Sequence, residues 1–529
     1  MIMVLFIWQF FQNLFCYYKN LGFLLNKING FCVYLVLEME RKKAIIIGAG
    51  VAGLAVSVRL VLQGFDVEIF ESNAYTGGKL SEFQLGRYRF DAGPSLFTMP
   101  HLVEELFWIA GKKSDDFLYK KLDEVCRYFF SDGLRFIASA DKEKLVEEIY
   151  FHLGENKNVI KQYLENGKFK YETIGKLFLE RCLRKPSTFL NKNALKAYLK
   201  INTLGLTTSL NSYNETTFKN PKTVQLFNRY ATYNGSDPYQ TPAIMSMIPH
   251  LEFGVGAFFP KDGMIQISQS IAKLAESLGV VIYLNTKVSG IKTENGKAVG
   301  IESNGVFLKA DVVVSAIDVS QTYSKLLGMQ GLGEKYLKLP KSTSAIIWYW
   351  GIKRKTTQTG LHNIFFSKDY KAEFQSLFEK KEMPAEPTIY LNISSKERTE
   401  DAPEFGENWF AMVNAPANEG QDWDKWIPET RKKVMERLSQ ELGFNVESEI
   451  EVETILEPRT LESRTGAIGG ALYGSNSNNK FAAFLRHANF SSEVKNLYFC
   501  GGTVHPGGGI PLALQSASIA AEYVKNNSV

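Results

Sequence analysis

A glycine-rich turn near residue 50 constrains the fold more than any other feature of the sequence. The turn, Gly48–Gly53, reads G-x-G-x-x-G and directly follows the apolar, β-branched run Ala44–Ile47. Such a run predicts a buried parallel strand, and the residues after the turn predict a helix from about Ala52 to Gln63. A second strand is predicted over Val67–Phe70, and it leads into the acidic residue Glu71. The pattern therefore predicts the first strand–helix–strand unit of a doubly wound α/β fold.

The spacing of these residues matches what a dinucleotide requires from a backbone. Gly48 permits the tight turn, Gly50 lets the backbone approach a pyrophosphate, and Gly53 lets the helix pack on the strand. Ala52 lies in the first helical turn, whose free N–H groups attract phosphate. Glu71 follows Gly53 by 18 residues and is placed to accept hydrogen bonds from the ribose hydroxyls. An ordinary glycine turn is the alternative, and the surrounding strand, helix and acid argue against it.

A glycine pair after the acidic residue distinguishes between types of nucleotide. Glu71 is followed by Gly77-Gly78-Lys79, so the segment reads E-x-x-x-x-x-G-G-K. It resembles the flavoprotein superfamily that contains amine oxidases, carotenoid desaturases and Rab GDP-dissociation inhibitors. The resemblance implies that Gly77 and Gly78 wrap the pyrophosphate of FAD. Lys79 stands where amine oxidases usually have arginine, so the positive charge is retained and the forked hydrogen bonding is lost.

The segment Phe90–Ser95 carries a more specific resemblance. It reads F-D-A-G-P-S and is similar to the F-D-x-G-P-[ST] motif of the bacterial and fungal phytoene desaturase family. Gly93 and Pro94 predict a sharp, non-helical turn that would bring this backbone, and with it Ser95, to the flavin. A plain surface turn is the alternative. The family resemblance extends over nearly all of residues 43–527.

The C-terminal segment supplies a separate cofactor signal. His505–Pro511 reads H-P-G-G-G-I-P, the full family motif, and precedes a small-residue helix predicted over Leu512–Val524. A glycine-rich turn and a helix N-terminus provide hydrogen-bond donors for the flavin. The candidate residues are Gly501, Gly502, Gly509, Ile510 and Pro511. His505 is a candidate catalytic base, with a loop-shaping role beside the flavin as the alternative interpretation, and no other catalytic residue is assigned.

The middle of the chain is predicted to complete the nucleotide domain and to add a substrate lobe. Five short strands are predicted to rebuild the Rossmann sheet: Val280–Leu284, Thr286–Thr293, Ala298–Ser303, Val306–Leu308 and Asp311–Ala316. By the resemblance, a backbone amide near Val288 holds the adenine and Ala316 faces the pyrophosphate. Residues 112–249 carry few glycines and many helical patterns, which predict a helical lobe. The apolar run Ser344–Gly351 predicts a long strand beneath a lipophilic ligand.

The expected fold class is α/β, with a Rossmann-type FAD-binding domain of the amine-oxidase and GDI-like superfamily and an inserted α+β substrate lobe. We expect the FAD-binding domain at 39–111, 250–320 and 480–529, and the substrate and membrane-contacting lobe at 112–249 and 321–479. Residues 1–38 differ from the rest, because their apolar runs are broken by Asn, Gln and Lys. We expect this extension to be non-native, with translation starting at Met39. A membrane-contacting arm is the alternative.

Charge and cysteine spacing exclude other classes of function. A net charge of +5 over 529 residues is too weak to indicate a nucleic-acid partner. The cysteines are scattered, and neither they nor the histidines form a metal-ligand pattern, so no metal site is predicted. Scattered cysteines also favour a reducing compartment.

The resemblance implies an FAD-dependent enzyme that desaturates a C40 polyene, with hydride passing to flavin N5. The flavin is expected to be non-covalent, because Cys500 belongs to a predicted buried strand. The D-A-G-P-S and G-G-K motifs are more similar to hydroxycarotenoid 3,4-desaturases than to phytoene desaturases proper. Since a carotenoid dissolves in the bilayer, we expect a cytoplasmic protein in peripheral contact with the inner face of the cell membrane. Oxygen and a quinone are both candidate electron acceptors.

Several alternatives stay open at this point. They are a phytoene desaturase proper, a carotenoid cis–trans isomerase or an amine oxidase on the same fold, and a non-enzymatic GDI-like carrier of isoprenoids. The carrier interpretation predicts a damaged nucleotide motif, whereas Gly48, Gly50, Gly53 and Glu71 are all intact.

Overall fold

The computed structural model describes residues 22–28, 31–37, 41–175, 179, 204–479 and 486–527. The strands, in chain order, are β1 (Gly22–Ile28), β2 (Phe31–Leu37), β3 (Lys43–Ile47), β4 (Asp66–Phe70), β5 (Glu82–Leu85), β6 (Tyr88–Asp91), β7 (Tyr119–Lys121), β8 (Glu124–Phe129), β9 (Arg135–Ser139), β10 (Phe258–Pro260), β11 (Val281–Tyr283), β12 (Val288–Glu294), β13 (Lys297–Ser303), β14 (Val306–Lys309), β15 (Val312–Ser315), β16 (Ser344–Ile352), β17 (His362–Phe365), β18 (Ile389–Asn392), β19 (Glu407–Ala415), β20 (Ile450–Leu456) and β21 (Leu497–Phe499). The antiparallel hairpin β1–β2 falls within the predicted extension 1–38, whose other residues lie outside the described ones.

The longer helices cover the sheets. They are α1 (Val51–Leu62), α2 (His101–Ile109), α3 (Lys142–Leu153), α4 (Lys157–Lys170), α5 (Leu210–Thr217), α6 (Pro221–Asn228), α7 (Gln266–Ser277), α8 (Gln330–Leu337), α9 (Tyr370–Gln375), α10 (Trp423–Leu442), α11 (Pro458–Thr465) and α12 (Ile510–Asn527). Among the helices of these described segments, none has the length and apolar character needed to cross a membrane.

A five-stranded parallel sheet carries the glycine motifs. Its strand order is β11-β4-β3-β15-β21, and every neighbouring pair is parallel. The inner strands β3 and β15 are apolar and buried, as expected for strands covered on both faces. Helices α1, α7 and α12 share one apolar cluster against this sheet. The predicted α/β, Rossmann-type fold is therefore confirmed.

Three of the five strands predicted to rejoin this sheet do not do so. β12, β13 and β14 form a separate three-stranded antiparallel sheet. The reason lies in the two turns Asn295-Gly296 and Asn304-Gly305, whose residues all have positive φ. Such Asn-Gly turns form tight hairpins, and consecutive strands joined by them must pair with each other.

A seven-stranded sheet forms the second layer of the fold, in the order β20-β16-β19-β18-β17-β8-β9. All residues of β16 are buried, which confirms the long strand predicted at Ser344–Gly351. The prediction that 112–249 is helical is wrong at its start, because β7, β8 and β9 lie there. A tight turn at Gly133, with φ of +87°, joins β8 and β9 into an antiparallel hairpin. Helices α3–α6 follow as predicted, and residues 180–203 lie outside the described ones.

The hairpin β5–β6 positions the predicted flavin-facing turn. Tyr88 and Phe90 pack in one apolar cluster with Ile347 and Tyr349 of the seven-stranded sheet. The Tyr349 hydroxyl also donates to the carbonyl oxygen of Ala92 at 3.0 Å. The chain that continues into Gly93 is thus held by the large sheet on one side and by the glycine turn on the other.

Candidate active site

The first glycine turn packs as tightly as its spacing predicts. Gly48 has φ of +99°, a conformation that side chains disfavour. A Cβ on Gly53 would lie only 2.0 Å from the carbonyl oxygen of Gly48, so the helix approaches the turn only because this residue is glycine. A Cβ on Gly50 would meet no atom within 4 Å and would project into open space. Gly53 therefore serves packing, and Gly50 leaves room for a ligand.

Two further turns close over the first one, backbone against backbone. The Gly77 N–H donates to the carbonyl oxygen of Ala49 at 2.8 Å. A Cβ on Gly78 would lie 3.2 Å from the Cα of Gly50. A Cβ on Gly93 would lie 1.8 Å from the carbonyl oxygen of Lys79. We call the assembly of the turns Gly48–Gly53, Gly77–Lys79 and Gly93–Ser95 the glycine cradle.

Glu71 is fixed at the edge of the glycine cradle. Its Oε2 accepts from the Ala49 N–H at 2.7 Å, and its Oε1 accepts from both the backbone and the side-chain N–H of Asn73 at 2.8 Å. A carboxylate offers about four acceptor positions. A ribose hydroxyl would therefore use the remaining position on Oε2 or replace the Asn73 amide. Sequence reasoning did not identify Asn73.

Lys79 lies among backbone oxygens and one buried acid. Its Nζ donates to the carbonyl oxygens of Ala471 and Leu472, at 3.2 and 2.8 Å. Burial lowers the pKa of Lys79 to about 8, and the negative charge of Asp318 opposes this shift. Burial likewise raises the pKa of the Asp318 carboxyl, which Lys341 and Lys79 counteract. The ammonium group of Lys79 therefore loses its proton near pH 8, well below the usual pKa of 10.5 for lysine.

The C-terminal turn lines the same cavity next to the first glycine turn, since a Cβ on Gly501 would lie 4.0 Å from Ala52 Cβ. Gly501 has φ of +113°, and its N–H donates to Ser516 Oγ of α12 at 3.1 Å. The His505 N–H donates to the carbonyl oxygen of His487 at 2.9 Å, and the His505 carbonyl accepts from Ser516 Oγ at 2.9 Å. These backbone contacts are those of a loop-shaping residue. The role of His505 as a base stays a prediction.

One cavity of about 1760 Å³ joins all of these segments. Ordinary small-molecule sites hold roughly 300–1,000 Å³, so this cavity has room for a dinucleotide and a second ligand. Every residue predicted to bind the cofactor lines it except Gly53, which lies behind the turn. The lining residues are Gly48, Gly50, Ala52, Glu71, Gly77, Gly78, Lys79, Gly93, Pro94, Ser95, Val288, Ala316, Gly501, Gly502, Gly509, Ile510 and Pro511, together with His505.

Beyond the glycine cradle the same cavity becomes an apolar compartment. Its walls include Leu96, Met245, Ile248, Ile364 and Phe410. These side chains come from the large sheet, from the segments between α6 and α7 and, for Leu96, from the segment between β6 and α2, which are far apart in the chain. Such a compartment holds a water-insoluble molecule and excludes water from it.

A buried ion pair lies in the wall of the apolar compartment. Arg229 contacts Glu252 at 3.1 Å, and both side chains are almost inaccessible to solvent. Glu252 Oε2 also accepts from the Tyr230 hydroxyl at 2.6 Å, while Arg229 donates to the Tyr128 hydroxyl at 2.9 Å. The two charges thus pair within the protein, while Arg229 Nε has no hydrogen-bond partner among the described residues. Sequence analysis assigned no role to either residue.

A second polar group in this wall comprises Ser95, Tyr390 and His362. The Ser95 and Tyr390 hydroxyl oxygens lie 2.8 Å apart, and Tyr390 Oη lies 2.8 Å from His362 Nδ1. Sequence analysis predicted Ser95 as a flavin contact and missed the other two. The available signal was the presence of polar residues in two short buried strands, His362 and Asn363 in β17 and Tyr390 and Asn392 in β18.

Fold and site together define a nucleotide-dependent enzyme with a lipophilic substrate compartment, and comparison with known proteins specifies its family. Residues 51–525 match the family of flavin-containing amine oxidoreductases. The chain is 48% identical over 487 residues to the 1-hydroxycarotenoid 3,4-desaturase of Flavobacterium sp. (strain P99-3), covering 92% of this chain and 100% of that protein. It is 30% identical over 491 residues to the 4,4'-diapophytoene desaturase (4,4'-diaponeurosporene-forming) of Staphylococcus haemolyticus (strain JCSC1435), covering 90% and 97%.

The chain therefore belongs to the carotenoid desaturases within the flavin-containing amine oxidoreductases, and it is a flavin-dependent oxidoreductase. Among solved structures, cyclohexylamine oxidase from Brevibacterium oxydans IH-35A aligns with a TM-score of 0.56 at 14% identity, covering 92% of this chain and all of that one. That likeness concerns the fold alone.

Proposed function

We propose that this chain is an FAD-dependent desaturase that introduces the 3,4 double bond into a 1-hydroxycarotenoid. The observation that carries the proposal is one continuous cavity that joins the glycine cradle to an apolar compartment. The 48% identity to the Flavobacterium enzyme over its whole length supports the choice of substrate.

The residues of the cavity fit FAD. The open space at Gly50 accommodates a pyrophosphate, and Glu71 retains an acceptor position for a ribose hydroxyl. Val288 lines the cavity at the end where we place the adenine, and the turn from Gly501 to Pro511 lines it where we place the flavin ring. When bound, FAD supplies the acceptor for the hydride removed from the substrate.

We further propose that FAD is held without a covalent bond to Cys126, which lines the cavity, or to Cys500. Cys126 and Cys500 are both buried. Burial raises the pKa of both thiols, that of Cys126 to about 12, so that the reactive thiolate is disfavoured. Cys500 also belongs to the apolar cluster behind the site rather than to the cavity lining.

The protein's own contribution to desaturation is to hold the polyene and to exclude water. Apolar walls such as Ile364 and Phe410 press a flat chain into a fixed orientation beside the glycine cradle. His362, whose pKa burial lowers to about 3, is a poor base at neutral pH. The charge that develops on a polyene is delocalised, so the departing proton does not require a strong protein base.

We place the protein at the cytoplasmic face of the cell membrane, in peripheral contact. On α2 the Trp108 side chain is 78% exposed, and Leu118 just before β7 is 50% exposed. The Tyr119 hydroxyl donates to Glu104 Oε1 at 2.6 Å and so joins these two elements. Lys112 and Lys113 are exposed between them, followed by the exposed Asp115 and Asp116. Exposed aromatic residues beside lysines favour an anionic membrane surface. A quinone in that membrane, or oxygen, would reoxidise the flavin.

The proposal is tested with the purified full chain in detergent. Absorption bands at about 370 and 450 nm from a chromophore that heating releases into solution would support non-covalent FAD. The enzyme is then supplied separately with a 1-hydroxycarotenoid and with phytoene, and products are separated by chromatography and mass. We expect the hydroxycarotenoid to lose two hydrogens at the 3,4 position.

Other outcomes would identify other functions. Rapid turnover of phytoene alone would contradict the proposal in favour of a phytoene desaturase. A product of unchanged mass with altered double-bond geometry would indicate an isomerase. Failure to bind flavin even after addition of FAD would indicate an isoprenoid carrier. Mixing the reduced enzyme with oxygen or with a quinone identifies the acceptor by the faster return of the flavin bands.

A further inference from the structure

Strands β17 and β18 bring a short hydrogen-bonded chain to the wall of the apolar compartment. Along β18, Ile389 and Leu391 pack into the apolar cluster on one face of the large sheet. Tyr390 lies between them and lines the cavity on the other face. On β17 His362 also lines the cavity, and on the glycine cradle Ser95 does so. The two hydroxyls and the imidazole form one continuous series of 2.8 Å contacts.

The direction of every hydrogen bond in this series is fixed by Asn392. Its Nδ2 donates to the carbonyl oxygen of Leu361 at 3.1 Å, and because a carbonyl only accepts, that atom is the amide nitrogen. The same nitrogen lies 3.2 Å from His362 Nδ1. Nδ1 therefore accepts, and the proton of the neutral ring lies on Nε2, which has no hydrogen-bond partner among the described residues. The low pKa of His362 agrees with a neutral ring.

The remaining protons follow in order. Since His362 Nδ1 accepts, the Tyr390 hydroxyl uses its single proton to donate to it. The Tyr390 oxygen is then an acceptor, and the Ser95 hydroxyl donates its proton to Tyr390. Ser95 Oγ is left with lone pairs and no proton for a ligand, so it offers the cavity an acceptor and not a donor.

We propose that Ser95 Oγ accepts a hydrogen bond from the hydroxyl on carbon 1 of the substrate, and that Tyr390 and His362 are positioning residues that set this preference. The inference rests on the proposed function and specifies which end of the carotenoid enters first. A neutral series of hydrogen bonds suits a neutral hydroxyl, which would otherwise lose its hydrogen bonds on entering an apolar compartment.

The position of Ser95 agrees with the chemistry. Carbon 1 is only a few bonds from the 3,4 bond, so its hydroxyl must lie close to the reacting carbons and hence to the flavin. Ser95 directly follows Gly93-Pro94, the turn predicted to approach the flavin. Another polar pair in this wall, Arg229 with Glu252, already uses Arg229 Nη2 and Glu252 Oε2 in bonds to tyrosine hydroxyls and in its own pairing.

The test compares a 1-hydroxycarotenoid with its 1-methoxy ether, which has an oxygen but no proton to donate. We expect wild-type enzyme to prefer the hydroxy substrate in kcat/KM by several-fold and up to about tenfold, the range of one neutral hydrogen bond. Tyr390→Phe frees the Ser95 proton, which then donates to either oxygen, so the preference falls towards one. Ser95→Ala removes the acceptor and also abolishes the preference, whereas Ser95→Thr retains it.

Tyr163→Phe is the matched control. It removes a buried phenol hydroxyl that donates to Asn214 Oδ1 at 2.9 Å, away from the cavity lining. It should cost comparable stability and leave the preference unchanged. Flavin absorbance verifies that each variant is folded and loaded, and Ser95→Ala replaces Tyr390→Phe if the latter does not fold.

The outcomes separate this inference from the proposed function. If wild-type enzyme desaturates both substrates equally, or if Tyr390→Phe retains the wild-type preference, the role of Ser95 is overturned and the 3,4-desaturase proposal stands. If wild-type enzyme converts neither substrate while it converts phytoene, the proposed function itself is overturned.

Discussion

The glycine cradle and the apolar compartment are two halves of one cavity, and they are built in opposite ways. In the glycine cradle, backbones approach one another so closely that a single Cβ at Gly93 would lie 1.8 Å from a carbonyl oxygen. In the apolar compartment the walls are side chains from distant segments, such as Met245 and Phe410. The first half tolerates almost no substitution at its contacts, whereas the second depends on total shape and on a few buried polar groups.

The difference shows why the class of cofactor can be read from the glycine cradle, whereas substrate specificity is determined in the apolar compartment. A nucleotide makes the same demands on the backbone in many enzymes, so its residues recur in fixed spacing. A polyene requires only an apolar pocket of suitable shape that excludes water, and many combinations of apolar residues can form one. Specificity for one carotenoid must therefore come from the few polar side chains in the second half.

The largest effect is expected from a methyl group added in the glycine cradle. Gly93→Ala would force the turn away from the carbonyl oxygen of Lys79. It should lower the free energy of unfolding by about 3 kcal/mol or more and abolish flavin binding. Gly331→Ala is the control, since a Cβ there meets nothing within 4 Å. Flavin absorbance and thermal unfolding measure both variants. If Gly93→Ala still binds flavin stoichiometrically, the glycine cradle is not as intolerant of substitution as we infer.

The next largest effect is expected at the buried ion pair of the apolar compartment, and it tests whether this half of the cavity tolerates substitution. Glu252→Gln leaves the Arg229 charge buried without its partner, and we expect a loss of about 3–5 kcal/mol in the free energy of unfolding. Glu436→Gln on the exposed face of α10 breaks the Lys432–Glu436 pair and should cost less than about 0.5 kcal/mol. Denaturant titration distinguishes the two. Equal, small losses would show that the pair is dispensable.

An intermediate effect is expected from pH at Lys79. Because burial lowers its pKa to about 8, Lys79 loses its charge above that pH and attracts a pyrophosphate less strongly. FAD affinity should therefore fall by about tenfold from about pH 7 to pH 9, and Lys79→Arg should make it constant. In the flavin-free protein, the deprotonation of Lys79 has the opposite effect on stability: it favours the folded state. The folded pKa lies below the ordinary 10.5, so this group raises the free energy of unfolding as pH rises from about 8 to 10.5.

Titration of apo-protein with FAD at several pH values measures the affinity trend, and thermal unfolding measures the stability trend. An affinity that does not change with pH in wild-type protein would show that Lys79 does not interact with the pyrophosphate.

The smallest effect concerns the surface around the cavity. Trp108→Ala should weaken binding to vesicles containing anionic lipid by a few-fold, up to about tenfold. Phe405→Ala is the matched control, because Phe405 is 75% exposed but directly follows the exposed Glu404. Co-sedimentation with vesicles measures both variants. Equal loss in the two variants would point to non-specific contact rather than to the lysine-bordered surface at Trp108.

The sequence predicted most of the glycine cradle and little of the apolar compartment. Gly53 and Gly77 were identified because a local backbone requirement leaves a local pattern. Glu71 was identified for the same reason, but its Asn73 partner was not, since an asparagine two residues away has many ordinary roles. Parallel strands β11 and β15 were placed correctly, whereas β12–β14 were assigned to the wrong sheet although their Asn-Gly turns were readable.

The polar residues of the apolar compartment could not be predicted in the same way. His362 and Tyr390 come together only because β17 and β18 pair, with Ile364 opposite Tyr390. Arg229 meets Glu252 across 23 residues through a bend that no single motif specifies. Such groupings arise from tertiary pairing and leave no fixed spacing in the chain.

The strand order of the parallel sheet has a consequence for how this protein is made in the cell. β3 and β4 emerge early from the ribosome, but β21 pairs with β15, and α12 covers the sheet only after residues 497–527 have been synthesised. A nascent chain therefore carries a half-built nucleotide site with exposed apolar strands throughout most of translation. A chain that ends before residue 497 lacks β21, α12 and the turn at Gly501, so both the sheet and this wall of the cavity remain incomplete until synthesis is finished.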